Sequence, residues 1–225
     1  MVTIRYLQSI GMSCQTRHQV ERFTNSPLGQ SAGLEIRTSL FDWISTPLHR
    51  NSAFIDQGLP EYQPGSVIED QGRAYWTTPG FHVFHSFRIR EGKKTRLDIE
   101  NTFEKMTQKF RAQREKFRQT DVSNTCFVLG NTQNNLVGEV FHISERHHYV
   151  FDSAGIDTLH RSLDRFFGQD CQLIVVTSPD RFSGNADKDN RVRIIDRGDS
   201  EWKGPDAEWD RALCDHLGLE IANAA

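Results

Sequence analysis

The sequence predicts an α/β fold, a mainly parallel, doubly wound (Rossmann-like) sheet flanked by helices. Three observations carry this. Thr125-Cys-Phe-Val-Leu129 and Cys171-Gln-Leu-Ile-Val-Val-Thr177 are short, nearly unbroken apolar runs, as in parallel strands buried on both faces. Amphipathic helical patterns alternate with the strand-like runs. The chain also opens on a strand, a glycine and a helix in immediate succession.

Taken in order, residues 2–10 read as the first strand and 14–24 as the first helix, with Ser13 as N-cap and Ser26-Pro27 with Gly29 as its end. Residues 26–40 read as loop with a short apolar piece, Leu34 to Ile36. Leu40-Phe-Asp-Trp-Ile44 is a dense apolar segment holding one acid. Thr46-Pro47 starts a helix running to about Phe54. The region 57–90 reads as a β-rich insertion or edge hairpin, with a strand pair broken at Pro79-Gly80. Residues 97–119 form the strongest helix, because Phe103, Met106, Phe110 and Phe117 recur at helical spacing. Arg111 and Arg114 flank that stripe. Asp157 to Phe167 is a helix with Gly168 as its stop, residues 191–195 an edge-like strand, and Pro205 to Leu217 the closing helix. The span 134–145 stays ambiguous between helix and strand. One domain, 1–225, with a frayed tail at 218–225, fits the length.

A net charge of −3 with 25% charged residues gives no reason to expect a nucleic-acid or membrane partner. No apolar run approaches the roughly 18 residues of a membrane span, and no export signal is recognisable, so a cytoplasmic location is expected. Cysteines at 14, 126, 171 and 214 make no CxxC pair, which argues against a zinc ribbon or a disulfide scaffold. His147-His148 lacks a partner at ligand spacing, so no metal is expected, and no cofactor motif is present.

Cys14 is the residue most suggestive of chemistry. It follows Gly11-Met-Ser13 and begins a helix, where the dipole and free backbone N–H groups favour a thiolate. The competing reading is a small core residue, as Cys126, Cys171 and Cys214 are expected to be. In Phe81-His-Val-Phe-His-Ser-Phe87, alternation puts His85 on one side with Phe81 and Val83, as for a partly buried, positioned imidazole.

Ser9-Ile-Gly-Met-Ser-Cys14 with Arg17 and Val20, Phe41-Asp-Trp-Ile44, His85 before Phe87, and Lys109-Phe-Arg111 with Arg114 together resemble the bacterial domain family DUF1796, described as papain-like cysteine peptidases. Leu40 and Ser86 depart from its pattern, which often has Pro before Phe-Asp-Trp and an acid after the histidine. The resemblance implies a cysteine hydrolase or acyltransferase acting on a peptide or acylated small molecule through a thioester. Cys14 would be the nucleophile and His85 its base, with Asp42, or secondarily Asp152, orienting the ring. Ser13, Gln15, Arg17, Trp43 and Asn131 would be the substrate contacts. His82 and His49 are the alternative imidazoles.

Two other readings compete. An SGNH-like serine esterase acting on acylated carbohydrate would use Ser13 and Asn131, although the Gly-Asp-Ser order and a late Asp-x-x-His are lacking. A non-catalytic, polysaccharide-associated interaction domain would leave Cys14 inert.

Overall fold

A computed structural model describes residues 4–42, 44–83, 85–133, 149–197 and 202–220. The chain runs β1 (Tyr6–Ser9), α1 (Cys14–Thr24), α2 (Pro27–Ser31), β2 (Glu35–Arg37), β3 (Ile44–Ser45) and α3 (Leu48–Asp56). There follow β4 (Val67–Asp70), β5 (Arg73–Trp76), β6 (Phe81–Val83), β7 (Arg88–Glu91), β8 (Lys94–Leu97) and α4 (Ile99–Arg118). The remainder is β9 (Thr125–Gly130), β10 (Phe151–Asp152), α5 (Ser153–Phe167), β11 (Gln172–Thr177), β12 (Phe182–Ser183), β13 (Val192–Ile194) and α6 (Asp206–Leu217).

Five strands form one parallel sheet in the order β2-β1-β9-β11-β13. Ranked by appearance within that sheet, this is the doubly wound order 2-1-3-4-5. Because strand side chains alternate, each central strand feeds two cores. Leu7, Cys126, Val128, Ile174 and Val176 pack with Val20 and Phe23 of α1 and with Trp209 and Leu213 of α6. Phe127, Leu129, Leu173 and Val175 face the other way, toward Phe117 of α4 and Ile156, Leu159 and Leu163 of α5. The expected fold class is the observed one.

The β-rich region is wider than 57–90. An antiparallel sheet in the order β3-β6-β5-β4 begins at Ile44, and the β7–β8 hairpin ends at Leu97. Aromatic rings join it to the helices: Phe54 of α3 meets Phe81 at 4.9 Å between centroids, and Phe110 of α4 meets Trp76 at 5.4 Å. Its side chains belong to the same apolar cluster as the α4–α5 face of the parallel sheet.

Two short elements depart from the sequence reading. Ser26-Pro27 begins a five-residue helix as well as ending α1, with Ser26 Oγ accepting the Gly29 N–H at 3.1 Å. Within the expected loop, Glu35–Arg37 pairs with β1 as the sheet edge. An edge strand with polar ends escapes apolar periodicity. Residues 134–148, including the ambiguous span and His147-His148, lie outside the described residues, as do Trp43, Phe84 and residues 221–225.

β9 and α6 meet at Gly130. A Cβ there would lie 2.5 Å from Trp209 Cη2, and Trp209 is fully buried with its Nε1–H donated to Thr132 Oγ1 at 3.2 Å. Gly130→Ala is therefore expected to destabilise the protein by about 1–3 kcal/mol through overpacking. A urea unfolding midpoint equal to that of the parent would contradict this contact.

Candidate active site at the carboxyl edge of the parallel sheet

In the observed strand order, the connections leaving β1 and β9 diverge to opposite sides of the sheet, and open α/β sheets bind ligands at such a crevice. Residues 10–14 and 131–133 leave the sheet there. Thr16 Oγ1 stands 3.3 Å from both the Gly11 and Gly130 carbonyl oxygens, binding the two strand ends together.

The turn before α1 is unusual backbone. Gly11 has φ +99° and Met12, a fully buried non-glycine, has φ +74°. A left-handed residue with a Cβ costs on the order of 1–2 kcal/mol, and such residues cluster at functional sites. Gly11 is required twice over, because a Cβ would also lie 3.1 Å from Asn51 Nδ2. Asn51 holds the turn from α3 by donating that amide to the Ile10 carbonyl at 3.1 Å. Ser13 caps α1, its Oγ accepting the Gln15 N–H at 3.3 Å. Among the described residues no acceptor meets the backbone N–H groups of Met12 and Ser13, and the Cys14 N–H acts on its own sulfur.

Cys14 thus starts α1 beside two N–H groups that nothing among the described residues meets. It is half-buried, whereas Cys126, Cys171 and Cys214 are buried; all four thiols are free. Burial pushes the Cys14 thiol up to about 11; its own backbone N–H opposes the rise and the Asp42 carboxylate adds to it. The resting group is a neutral thiol.

Asp42 is buried, its Oδ2 accepting from Arg17 Nη1 at 3.1 Å and from the Ser39 N–H at 2.9 Å. Among the described residues its Oδ1 and the Arg17 Nε have no hydrogen-bond partner. Burial lifts the carboxyl to about 7 against the pull of Arg17. Arg17 also reaches Glu21 at 3.4 Å, so the pairing expected from helical spacing coexists with the longer-range one.

The remaining expected contacts have structural duties. Gln15 is fully buried, its Nε2 on the Trp202 carbonyl at 3.0 Å and its Oε1 accepting from Thr132 at 2.8 Å. Asn131 gives its amide to the Tyr149 and Arg181 carbonyls at 2.8 and 3.1 Å. Asp152 caps α5 through the Gly155 N–H at 2.6 Å.

His85 follows β6 in the chain. It is exposed in the turn after β6, and its proton affinity is lowered by partial desolvation and by Arg88 and Lys109. His49 is exposed on α3.

No family model, curated protein or solved structure matches this chain. The site therefore stands on its own geometry.

Of the candidate imidazoles, His82 is the buried one with a carboxylate at its ring. It is 5% exposed, and its Nε2 lies 2.8 Å from Asp70 Oδ2, with Tyr75 packed beside the ring at 4.8 Å between centroids. Its register partner on β3 is Ser45, and the next residue, Thr46, donates its N–H to the Met12 carbonyl at 3.4 Å. Ser45 Oγ also meets Tyr149 Oη at 3.3 Å. The strand carrying His82 is thus one strand removed from the turn that presents Cys14. Sequence alternation set His82 on the face opposite Phe81 and Val83, but nothing local linked it to Asp70, which lies two strands away.

No group of three or more His, Cys, Asp or Glu among the described residues could hold a metal ion. No helix among them is long and apolar enough to cross a membrane.

Proposed function

We propose that the protein is a cysteine-dependent acyl hydrolase or acyltransferase with Cys14 as nucleophile, the class implied by the DUF1796 resemblance. The observation that carries the reading is the half-buried thiol at the helix start and sheet crevice, on a strained turn where the Met12 and Ser13 N–H groups meet no acceptor among the described residues. We assign the base to His82, because a carboxylate holds its ring and its sheet abuts the Cys14 turn.

A thiol near 11 is not a standing thiolate. In this reading the imidazole takes the proton as sulfur attacks the acyl carbon, the departing group leaves with a proton, and water releases the acyl group from the thioester. The N–H groups of Met12, Ser13 and Cys14 would receive the developing oxyanion. Arg17, on the same helical stripe one turn on, would attract an anionic substrate group while keeping Asp42 in place.

Incubation with p-nitrophenyl acetate followed by mass mapping tests the assignment. Acetylation is expected on Cys14, lost in Cys14→Ala and slowed at least tenfold in His82→Ala but not in His85→Ala. Acetylation unchanged by Cys14→Ala would refute the nucleophile. Slowing by His85→Ala alone would return the base to His85.

A further inference from the structure

We propose that the cleft at the carboxyl ends of β1 and β2 binds a small oxyanion, a phosphate or carboxylate group. Its volume is about 350 Å³, and it is lined by Gln8, Arg37, Thr38, Lys116, Gln119 and Thr120. That is room for a small ligand.

The lining residues include no acid, and Gln119 among them gives its amide to Glu115 Oε1 at 2.9 Å. Gln8 is 1% exposed; its Oε1 accepts from Thr120 Oγ1 at 3.2 Å, and its Nε2 donates to no group among the described residues. Its side chain is therefore held on the cleft wall with the amide oxygen already engaged. Arg37 lies over the Tyr6 ring at 3.8 Å, which fixes its guanidinium, and among the described residues its buried Nε has no partner. Among the described residues neither Arg37 nor Lys116 forms an ion pair, whereas Arg17, Arg22 and Arg191 are each held by two carboxylates.

Lys116 alone would be explained by the last turn of α4, where a cation complements the helix dipole. That account does not reach Arg37, which comes from the sheet edge, or Gln8, which comes from inside it. Donors from a strand interior, a strand end and a helix end converge on one cleft, as oxyanion recognition requires. Gln8 points to the face opposite Leu7, whose side carries α1, so this site is separate from Cys14 and does not depend on the proposed chemistry.

Calorimetric titration of the whole protein with inorganic phosphate and, separately, succinate at low ionic strength tests the proposal. Saturable binding of at least one is expected, weakening with added sodium chloride; the tighter ligand identifies the group. Lys116→Glu, an exposed position that leaves folding intact, should weaken binding about tenfold or more, and Arg37→Gln likewise. No saturation by about 10 mM of either ligand would overturn the proposal. So would equal affinities in the parent and both variants, which would mark an adventitious ion only.

Discussion

Alkylation of Cys14 by iodoacetamide should be slow at neutral pH and quicken about tenfold per pH unit until the thiol ionises near 11. At pH 7 a group with that proton affinity is thiolate in only about one molecule in ten thousand, against a few per cent for an ordinary thiol. The labelling rate should therefore fall roughly a hundredfold below that of a small free thiol. Burial is the larger cause, and the Asp42 carboxylate adds to it. Cys126, Cys171 and Cys214 are buried and should label only on unfolding, so the accessible kinetics belong to one residue. Mass mapping of the adduct against pH checks this directly. A rate that levels off near pH 8 would contradict the burial argument and indicate a standing thiolate. The expected profile distinguishes two kinds of cysteine catalysis. A thiol poised by burial needs its proton removed during attack, so His82 matters to rate more than to the resting charge.

The parts legible in the sequence are those whose cause is local. The α1 boundaries follow from Ser13, and the Gly168 stop follows from its left-handed conformation, φ +70°. The nearly unbroken apolar runs of β9 and β11 require a sheet covered on both faces, and both faces are covered. Glu35–Arg37 was not legible as a strand, because three residues with charged ends at a sheet edge carry no period. The site divides in the same way. The placement of Cys14 is a local consequence of strand, glycine and cap. The Arg17–Asp42 and His82–Asp70 pairings depend on long-range packing, which no spacing in the chain encodes. Arg111 and Arg114 are a further case: flanking the apolar stripe of α4 marked them, but their shared partner Glu61 is visible only in the fold.

Asp42→Asn should change how stability responds to pH more than it changes stability at low pH. The folded carboxyl titrates at about 7 against an ordinary 3.8, so folding raises its proton affinity. A group of that kind stabilises the fold fully below its unfolded pKa, and the contribution is lost as pH rises toward the folded one. Between about pH 4 and pH 7 the parent should lose on the order of 4 kcal/mol from this residue, at roughly 1.4 kcal/mol per unit. Asparagine does not titrate, so the variant lacks that loss. Its weaker contact with Arg17 imposes a penalty that is nearly constant with pH. Urea unfolding of both proteins at pH 4, 5.5 and 7 should show the variant gaining steadily on the parent. Parallel curves would mean that the Arg17 guanidinium outweighs burial and keeps the carboxyl ionised. The same substitution removes one of the charges raising the Cys14 thiol, so alkylation at fixed pH should accelerate above pH 7, where Asp42 is ionised in the parent. Below that pH the two proteins should react alike. A rate difference appearing only as Asp42 ionises would show that the acid and the thiol belong to one electrostatic unit, which a general loosening of the turn would not reproduce.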